Sequence, residues 1–175
     1  MKKYSLYILL LVSHLSFAQN WQPTTSSVAF KIKMLGVNVD GTLKGMKTNL
    51  KFTNNEPVTL SATIDSKTIN TTNSLRDKHL KEKEEFFQPE LFPVISMSSV
   101  STQKIADNKY IGVFKITIKN SSKNLKIPFT FNEDAGKGVL KADFTIDRQD
   151  FKFGGDTPGM SNNVKVSILL NLTKN

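Results

Sequence analysis

The sequence predicts a single, mostly antiparallel β domain, and two observations support this. Apolar and polar residues alternate with a period of two in one segment after another, which is typical of half-buried strands because successive side chains point to opposite faces. The last segment shows the pattern best, with apolar residues at every second position: Val164, Val166, Ile168, Leu170 and Leu172. Turn-forming residues separate these segments at short intervals, which favours hairpins.

In chain order, the alternating segments predict about eight strands. The first has an apolar face made by Val28, Phe30, Ile32 and Met34. Region 37–52 predicts two strands, around Gly41 and Gly45. The other segments that alternate in this way are 58–64, 94–100, 110–118, 125–131, 140–146 and 164–172.

One stretch, residues 72–87, predicts a helix instead. Leu75, His79 and Leu80 recur at roughly helical spacing, and Thr71, Thr72 or Asn73 can cap the first turn. The helix must end before Pro89, which cannot continue it. A second irregular stretch, 154–159, contains three glycines and a proline and predicts a loop before the last strand.

The first eighteen residues predict a signal peptide. Lys2 and Lys3 precede an apolar run from Tyr4 to Leu15, and Ser16-Phe17-Ala18 has small residues where a signal peptidase requires them. We expect cleavage after Ala18 and a mature protein in the periplasm or outside the cell. The remaining residues, 19–175, are enough for one domain with a hydrophobic core.

Composition argues against several kinds of active site. The chain has no Cys, so neither disulfides nor thiolate metal ligands are available, and His79 is the one histidine in residues 19–175. No Gly-x-Ser-x-Gly motif accompanies it. We therefore predict no metal, no cofactor and no catalytic residue, and His79 is left with a structural role or a place at a ligand entrance.

The chain is basic, with a formal net charge of +9. The excess is lysine scattered through the strands, while Arg76 and Arg148 are the only arginines. Nucleic-acid-binding proteins usually concentrate arginine and interleave it with aromatic residues, so we predict no nucleic-acid partner. Solubility and protection of strand edges explain most of the lysines, and peripheral contact with an anionic membrane surface stays open.

Periodicity does not distinguish a closed barrel from a sandwich, although a barrel would remove exposed edges without disulfides. Nor does it distinguish a filled interior from a hollow one, since the twelve phenylalanines suit either. Small residues at inward positions, Ala62, Gly112 and Ala142, favour some space being left.

Several segments together resemble the YceI-like family of exported bacterial proteins. The first is Trp21 followed by Ser27-Val28-Ala29-Phe30-Lys31-Ile32-Lys33. The most specific runs from Ile64 to Leu80 and contains Arg76-Asp77-Lys78-His79-Leu80. Phe86-Phe87 and the residues up to Ser99 continue in the family order, and Phe144 to Phe151 and the last strand complete the pattern.

The resemblance implies a lipocalin-like, eight-stranded antiparallel barrel over residues 19–175, capped by the 72–87 helix. Members of the family are associated with polyisoprenoid binding, so we expect a long apolar chain, isoprenoid or fatty-acyl, inside the barrel for carriage or storage. The expected ligand-binding residues are Phe30, Ile32, Leu60, Ile64, Phe114, Ile116, Phe129, Phe144 and Ile168 from the strands, and Leu75, Arg76, His79, Leu80 and Phe86 from the helical segment.

Other expectations follow from the same residues. A filled barrel would instead be a structural or stress-response module that binds a partner through its basic surface. A hydrolase or isomerase that uses His79 is the third hypothesis, and the oligomeric state, including a homodimer, stays open. The usual family glycine after the Arg148 segment is displaced to Gly154, so the 154–159 loop is where ligand choice could differ.

Overall fold

The computed structural model describes residues 21–174, so the predicted signal peptide lies outside the described residues. Nine antiparallel strands form one sheet: β1 (Trp21–Met34), β2 (Val37–Leu43), β3 (Lys47–Thr53), β4 (Glu56–Asp65), β5 (Val94–Ala106), β6 (Lys109–Ile118), β7 (Ser121–Asp134), β8 (Lys137–Asp147) and β9 (Met160–Lys174). The predicted antiparallel β fold is confirmed. The structure has nine strands where about eight were predicted, and both strands predicted in region 37–52 are present.

The sheet curls into a barrel-like shape, which the order of its strands requires. The order is β2-β1-β9-β8-β7-β6-β5-β4-β3, so β2 and β3 lie at opposite edges. Yet only residues 44–46 join them, and a chain of that length spans at most roughly 14 Å. The two edges must therefore approach each other.

The segment after β4 covers the gap between these edges. The backbones of Thr42 in β2 and Asn70 exchange two hydrogen bonds, N–H to O at 2.9 and 3.0 Å. The hydroxyl of Thr68 accepts from the N–H of Lys44 at 2.9 Å. The barrel is thus completed by a loop and not by a ladder between β2 and β3.

The predicted helix forms as α1 (Ser74–Glu82), shorter than the expected 72–87. The side chain of Asn73 caps it by accepting from the N–H of Arg76 at 3.0 Å. The helix ends at Glu82 because residues 81–85 are all charged and offer no apolar face for another turn. Phe86 then turns inward and is buried. Within residues 21–174, no helix is long and apolar enough to cross a membrane.

Aromatic side chains fill one half of the barrel, which we call the closed half. The rings of Trp21, Phe52 and Phe131 contact one another, with centroids 5.0 to 5.7 Å apart. Tyr110 stacks on Phe129 at 5.2 Å. This half lies at the end where β3 meets β4, β5 meets β6 and β7 meets β8.

The other half of the barrel, which we call the open half, is lined but not filled. In β9 the inward residues Leu170 and Leu172 of the closed half are 3% and 2% exposed. The inward residues further toward the start of that strand, Val164, Val166 and Ile168, are only partly buried. Since all five side chains point inward, the larger exposed fractions of Val164, Val166 and Ile168 indicate empty space beside these three residues.

The sequence led us to expect space beside the small inward residues Ala62, Gly112 and Ala142, but not all of them leave space. The ring of Phe114 lies over Gly112, where an added Cβ would overlap it. Ala142 is buried in the closed half. Of the three residues only Ala62 lines the open half. The expectation is wrong at Gly112, where the Phe114 ring occupies the room, and at Ala142, which is buried in the closed half.

Candidate functional site

A cavity of about 460 Å³ occupies the open half, between α1 and the closed half. This volume lies in the range typical of pockets that hold small organic ligands. Its walls are almost entirely apolar and are contributed by inward residues of β1, β2, β4, β5, β6, β8 and β9. Such a wall suits an apolar ligand and offers few groups to bind a polar one.

Ten of the fourteen predicted site residues line this cavity: Phe30, Ile32, Ile64, Arg76, His79, Leu80, Phe86, Ile116, Phe144 and Ile168. The structure therefore brings together strand residues and helix residues that are far apart in the sequence. The predicted inward face of each of these strands is the one observed.

The other four predicted residues lie elsewhere. Leu60, Phe114 and Phe129 point inward as expected but are buried among the side chains of the closed half. Leu75 is 63% exposed on the outer side of α1. Alternation predicts which face a strand residue occupies but not how deep along the barrel it lies, and this is why the three strand residues were misplaced.

Sequence reasoning missed several lining residues. Met97 in β5 and Val164 and Val166 in β9 line the cavity, and their period-two spacing could have identified them. Phe153, in the loop before β9, and Met160, the first residue of β9, also line it. No periodic signal marks a loop residue, and three polar residues separate Met160 from Val164, so these two could not have been predicted in this way.

The position of the Phe30 ring helps to keep the cavity open. Phe30 pairs with Gly41 across the β1–β2 ladder. Its ring lies directly over this glycine, in the volume that a side chain at position 41 would occupy. The ring is thereby held against the wall of the barrel and not in the middle of the cavity.

The cavity reaches solvent beside α1, at a mouth that we define by its exposed lining residues His79, Lys83 and Glu85. Arg76 is fixed at this mouth, because its Nε donates to the hydroxyl of Thr71 at 2.9 Å. Asp77 orients Thr71 by accepting from both its N–H and its hydroxyl, at 2.8 and 2.6 Å. Most of the charged side chains that line the cavity therefore lie at the entrance.

The side chain of His79 has no hydrogen-bond or ion-pair partner among the described residues. The sequence left His79 with two alternatives, a structural role or a place at the ligand entrance. Residues 21–174 therefore do not show the hydrogen bonds that the structural role would require. Catalytic histidines are usually oriented by a hydrogen-bonded neighbour, and the described residues provide no such bond to this ring.

Arg148 is the buried cation of the site, 3% exposed and part of the cavity wall. Its guanidinium donates to four backbone carbonyls: those of Phe153 at 2.8 Å, Gly155 at 2.7 Å, Met160 at 3.3 Å and Ser161 at 3.0 Å. No carboxylate of the described residues lies within ion-pair distance. A buried charge is costly unless it is hydrogen-bonded, and here carbonyl dipoles compensate it.

Through these bonds Arg148 holds both ends of the loop that covers the cavity. The same loop is tied to the segment after α1 by the N–H of Gly154, which donates to the carbonyl of Glu85 at 2.6 Å. The 154–159 loop is thus part of the rim.

The described residues around the cavity do not include a cluster of metal-ligating side chains. Within residues 21–174 no three His, Cys, Asp or Glu side chains lie close enough to hold an ion.

Burial raises the pKa of the Tyr110 phenol, and a hydrogen bond to Glu90 raises the pKa of the Lys67 ammonium. Neither of these residues lines the cavity.

Comparison with known proteins places this geometry in context. A sequence model of the YceI-like domain matches residues 20–172. No curated protein sequence matches the chain.

Solved structures share the fold. BcnA of Burkholderia cenocepacia superposes with a TM-score of 0.77 at 21% identity, over 83% of this chain and 95% of that one. A YCEI protein of Campylobacter jejuni gives 0.73 at 23% identity, over 100% and 99%. A polyisoprenoid binding domain from Saccharophagus degradans, implicated in plant cell wall breakdown, gives 0.69 at 11% identity, over 90% and 98%. At these identities the likeness shows a common fold.

Proposed function

Since the chain belongs to the YceI-like family, we propose that it is a binding protein, and not an enzyme, that encloses a long apolar chain in the open half of its barrel. The ligand is isoprenoid-like or fatty-acyl, and the role is carriage or storage. The observation that carries the proposal is the cavity of about 460 Å³ with an apolar wall. The aromatic side chains of the closed half bound this cavity on one side.

Physical chemistry favours this class of ligand. Moving a CH₂ group out of water gains about 0.8 kcal/mol, so an extended chain can bind without any set of polar contacts. A polar head group would remain at the mouth, where Arg76, His79 and Lys83 can meet it. The similar fold of a polyisoprenoid binding domain from Saccharophagus degradans supports an isoprenoid chain among the candidates.

Location in the periplasm or outside the cell is part of the proposal and rests on the predicted signal peptide, residues 1–18. Fractionation of cells that produce the protein, followed by measurement of the mass of the mature chain, tests it. A mature protein that begins at Gln19 supports export, and a cytoplasmic chain of full mass contradicts it.

The alternative of a filled-barrel module requires the whole interior to be packed as the buried cluster of the closed half is. The open half is not filled in this way, because its inward residues in β9 stay partly exposed. We therefore retain ligand binding as the function that this geometry supports best.

Organic extraction of the purified protein, followed by mass spectrometry, tests the proposal directly. We expect a stoichiometric apolar lipid, and saturable binding of a fluorescent fatty acid after delipidation. Val166→Phe, which fills the cavity from β9, should abolish binding, while Ser167→Phe, on the outward face of the same strand, should not. A lipid-free extract together with no saturable binding would overturn the proposal.

A further inference from the structure

The hairpin between β1 and β2 has an unusual tip. Leu35 is 76% exposed, the largest exposed fraction among the large apolar side chains of residues 21–174. Its φ is 50°, in the left-handed region, and Gly36 follows at 81°. Such two-residue turns favour Asn or Gly at the first position, because a bulky side chain is strained there. One residue is thus both strained and exposed to water, a combination that suggests a functional reason.

The tip is attached firmly to the rim of the cavity. The N–H of Leu35 donates to the carbonyl of Gly159 at 2.8 Å, and its side chain packs on that glycine. On either side, Met34 and Met160 line the cavity. Leu35 is therefore held outward at the edge of the opening by a fixed contact.

Other exposed apolar residues lie at the same end of the barrel. Val37, Leu75 and Leu91 are 68%, 63% and 68% exposed, at the start of β2, on α1 and before β5. The turns at the opposite end carry polar and acidic residues, including Asn54, Asn55, Asp107, Asn108 and Asp134, and the large apolar residues beside them, Val58 and Ile105, are 47% and 52% exposed. The most exposed large apolar side chain, Leu35, therefore lies at the end that holds the mouth of the cavity, together with Val37, Leu75 and Leu91.

We propose that this end docks on a lipid bilayer, with Leu35 and Val37 inserted among the acyl chains and Leu75 and Leu91 at the membrane interface. A bilayer is the phase that dissolves long apolar chains, so a mouth that rests on it lets a ligand enter without crossing water. Insertion of apolar tips gives shallow binding in the interface plane.

Apolar insertion is the main interaction that we expect at this end, because its most exposed large side chain is Leu35. Two lysines of this end are paired with carboxylates, Lys67 with Glu90 at 2.8 Å and Lys78 with Glu82 at 4.0 Å, whereas Lys83 at the mouth has no ion pair among the described residues. Binding should therefore persist with neutral lipid and at high salt, unlike the electrostatic contact that the net charge of the chain alone suggests.

Sedimentation with vesicles tests the proposal, using phosphatidylcholine alone or mixed with phosphatidylglycerol, at low and high salt. The test variant is Leu35→Asn with Val37→Thr. Asn suits a left-handed turn and Thr keeps strand propensity, so folding should be preserved. We expect the variant to bind phosphatidylcholine vesicles about tenfold more weakly, since a buried leucine contributes roughly that factor or more. The matched control is Val100→Thr, because Val100 is 64% exposed but lies within β5.

Each result decides for or against the proposal. A loss of vesicle binding in the tip variant, with the control unchanged, supports it. Equal binding of wild type and tip variant, or binding that requires phosphatidylglycerol and disappears in salt, overturns it. A change in oligomeric state of the tip variant without vesicles would show that a second copy covers this end, and also overturns it. The experiment measures vesicle binding and not ligand content, so its failure would leave the proposed ligand binding standing.

Discussion

The ring of Phe30 lies over Gly41, its partner across the β1–β2 ladder, and occupies the place where a side chain at position 41 would be. The cavity keeps its width at this level because the ring rests against the wall. A glycine in a strand usually weakens the sheet, but here it provides room for a large aromatic neighbour.

Substitution Gly41→Val should therefore narrow the cavity. The new side chain would push the Phe30 ring inward, at a cost of about 1 to 3 kcal/mol in the free energy of unfolding. If the ring displaces about two CH₂ groups of the ligand, affinity for a fluorescent fatty acid should fall about tenfold. Adding Phe30→Leu to Gly41→Val should restore binding. A double variant that binds as weakly as the single one would contradict this reason.

Phe114 should limit the length of chain that the cavity accepts. It is the next inward residue after Ile116 on β6, about 7 Å deeper in the barrel, and its ring rests over Gly112. We call this deeper layer, which lies below the lining residue Ile116, the floor of the cavity. Phe114→Leu removes part of it, at a cost of about 1 kcal/mol. Competition with fatty acids of increasing length should then favour longer chains than in the wild type.

Phe131→Leu is the matched control for chain length, because Phe131 belongs to the aromatic cluster of the closed half, against Trp21 and Phe52. This variant makes the same chemical change away from the cavity and should keep the wild-type preference. If both variants shift the preference equally, the effect reports general loosening and not a floor at Phe114.

Arg148→Lys should destabilise the protein even though the charge is kept. Lysine cannot reproduce the planar guanidinium that reaches four carbonyls of the rim loop, so buried acceptors lose their donors. We expect a loss of about 3 kcal/mol in urea unfolding. Lys141→Met, at an exposed position in β8, should change stability by less than about 0.5 kcal/mol. A similar small change at Arg148 would show that its bonds are dispensable.

Tyr110 should make stability fall in alkaline solution. Burial raises the pKa of its phenol above the ordinary value of 10.0. The folded state thus holds this proton more tightly than the unfolded chain does. The contribution of Tyr110 to the free energy of unfolding is complete at pH values below the pKa of the unfolded chain. It is lost as the pH rises through the pKa of the folded state. Ultraviolet titration should show phenolate absorbance, identified by its absence in Tyr110→Phe, appearing at a higher pH than in free tyrosine. Titration at the ordinary pH would refute the burial effect.

The face of each strand could be predicted from the sequence alone. Phe30, Ile32, Ile64, Ile116, Phe144 and Ile168 line the cavity as expected, because a strand reverses its side chains at every residue and only one face can be buried. The N-terminal cap of α1 was also predictable, because the Asn73 side chain accepts a hydrogen bond from the N–H of Arg76, which is only three residues away in the sequence. Local geometry controls both features.

Depth along the barrel and closure of the sheet depended on tertiary structure. Leu60, Phe114 and Phe129 have the same pattern as the cavity residues, but they meet aromatic rings from distant strands and are buried. Likewise, no local signal relates Arg148 to the carbonyl of Ser161, or Leu35 to Gly159. The sequence by itself determined which residues point inward. Where the interior is empty was decided by the packing of side chains that only the folded chain brings together.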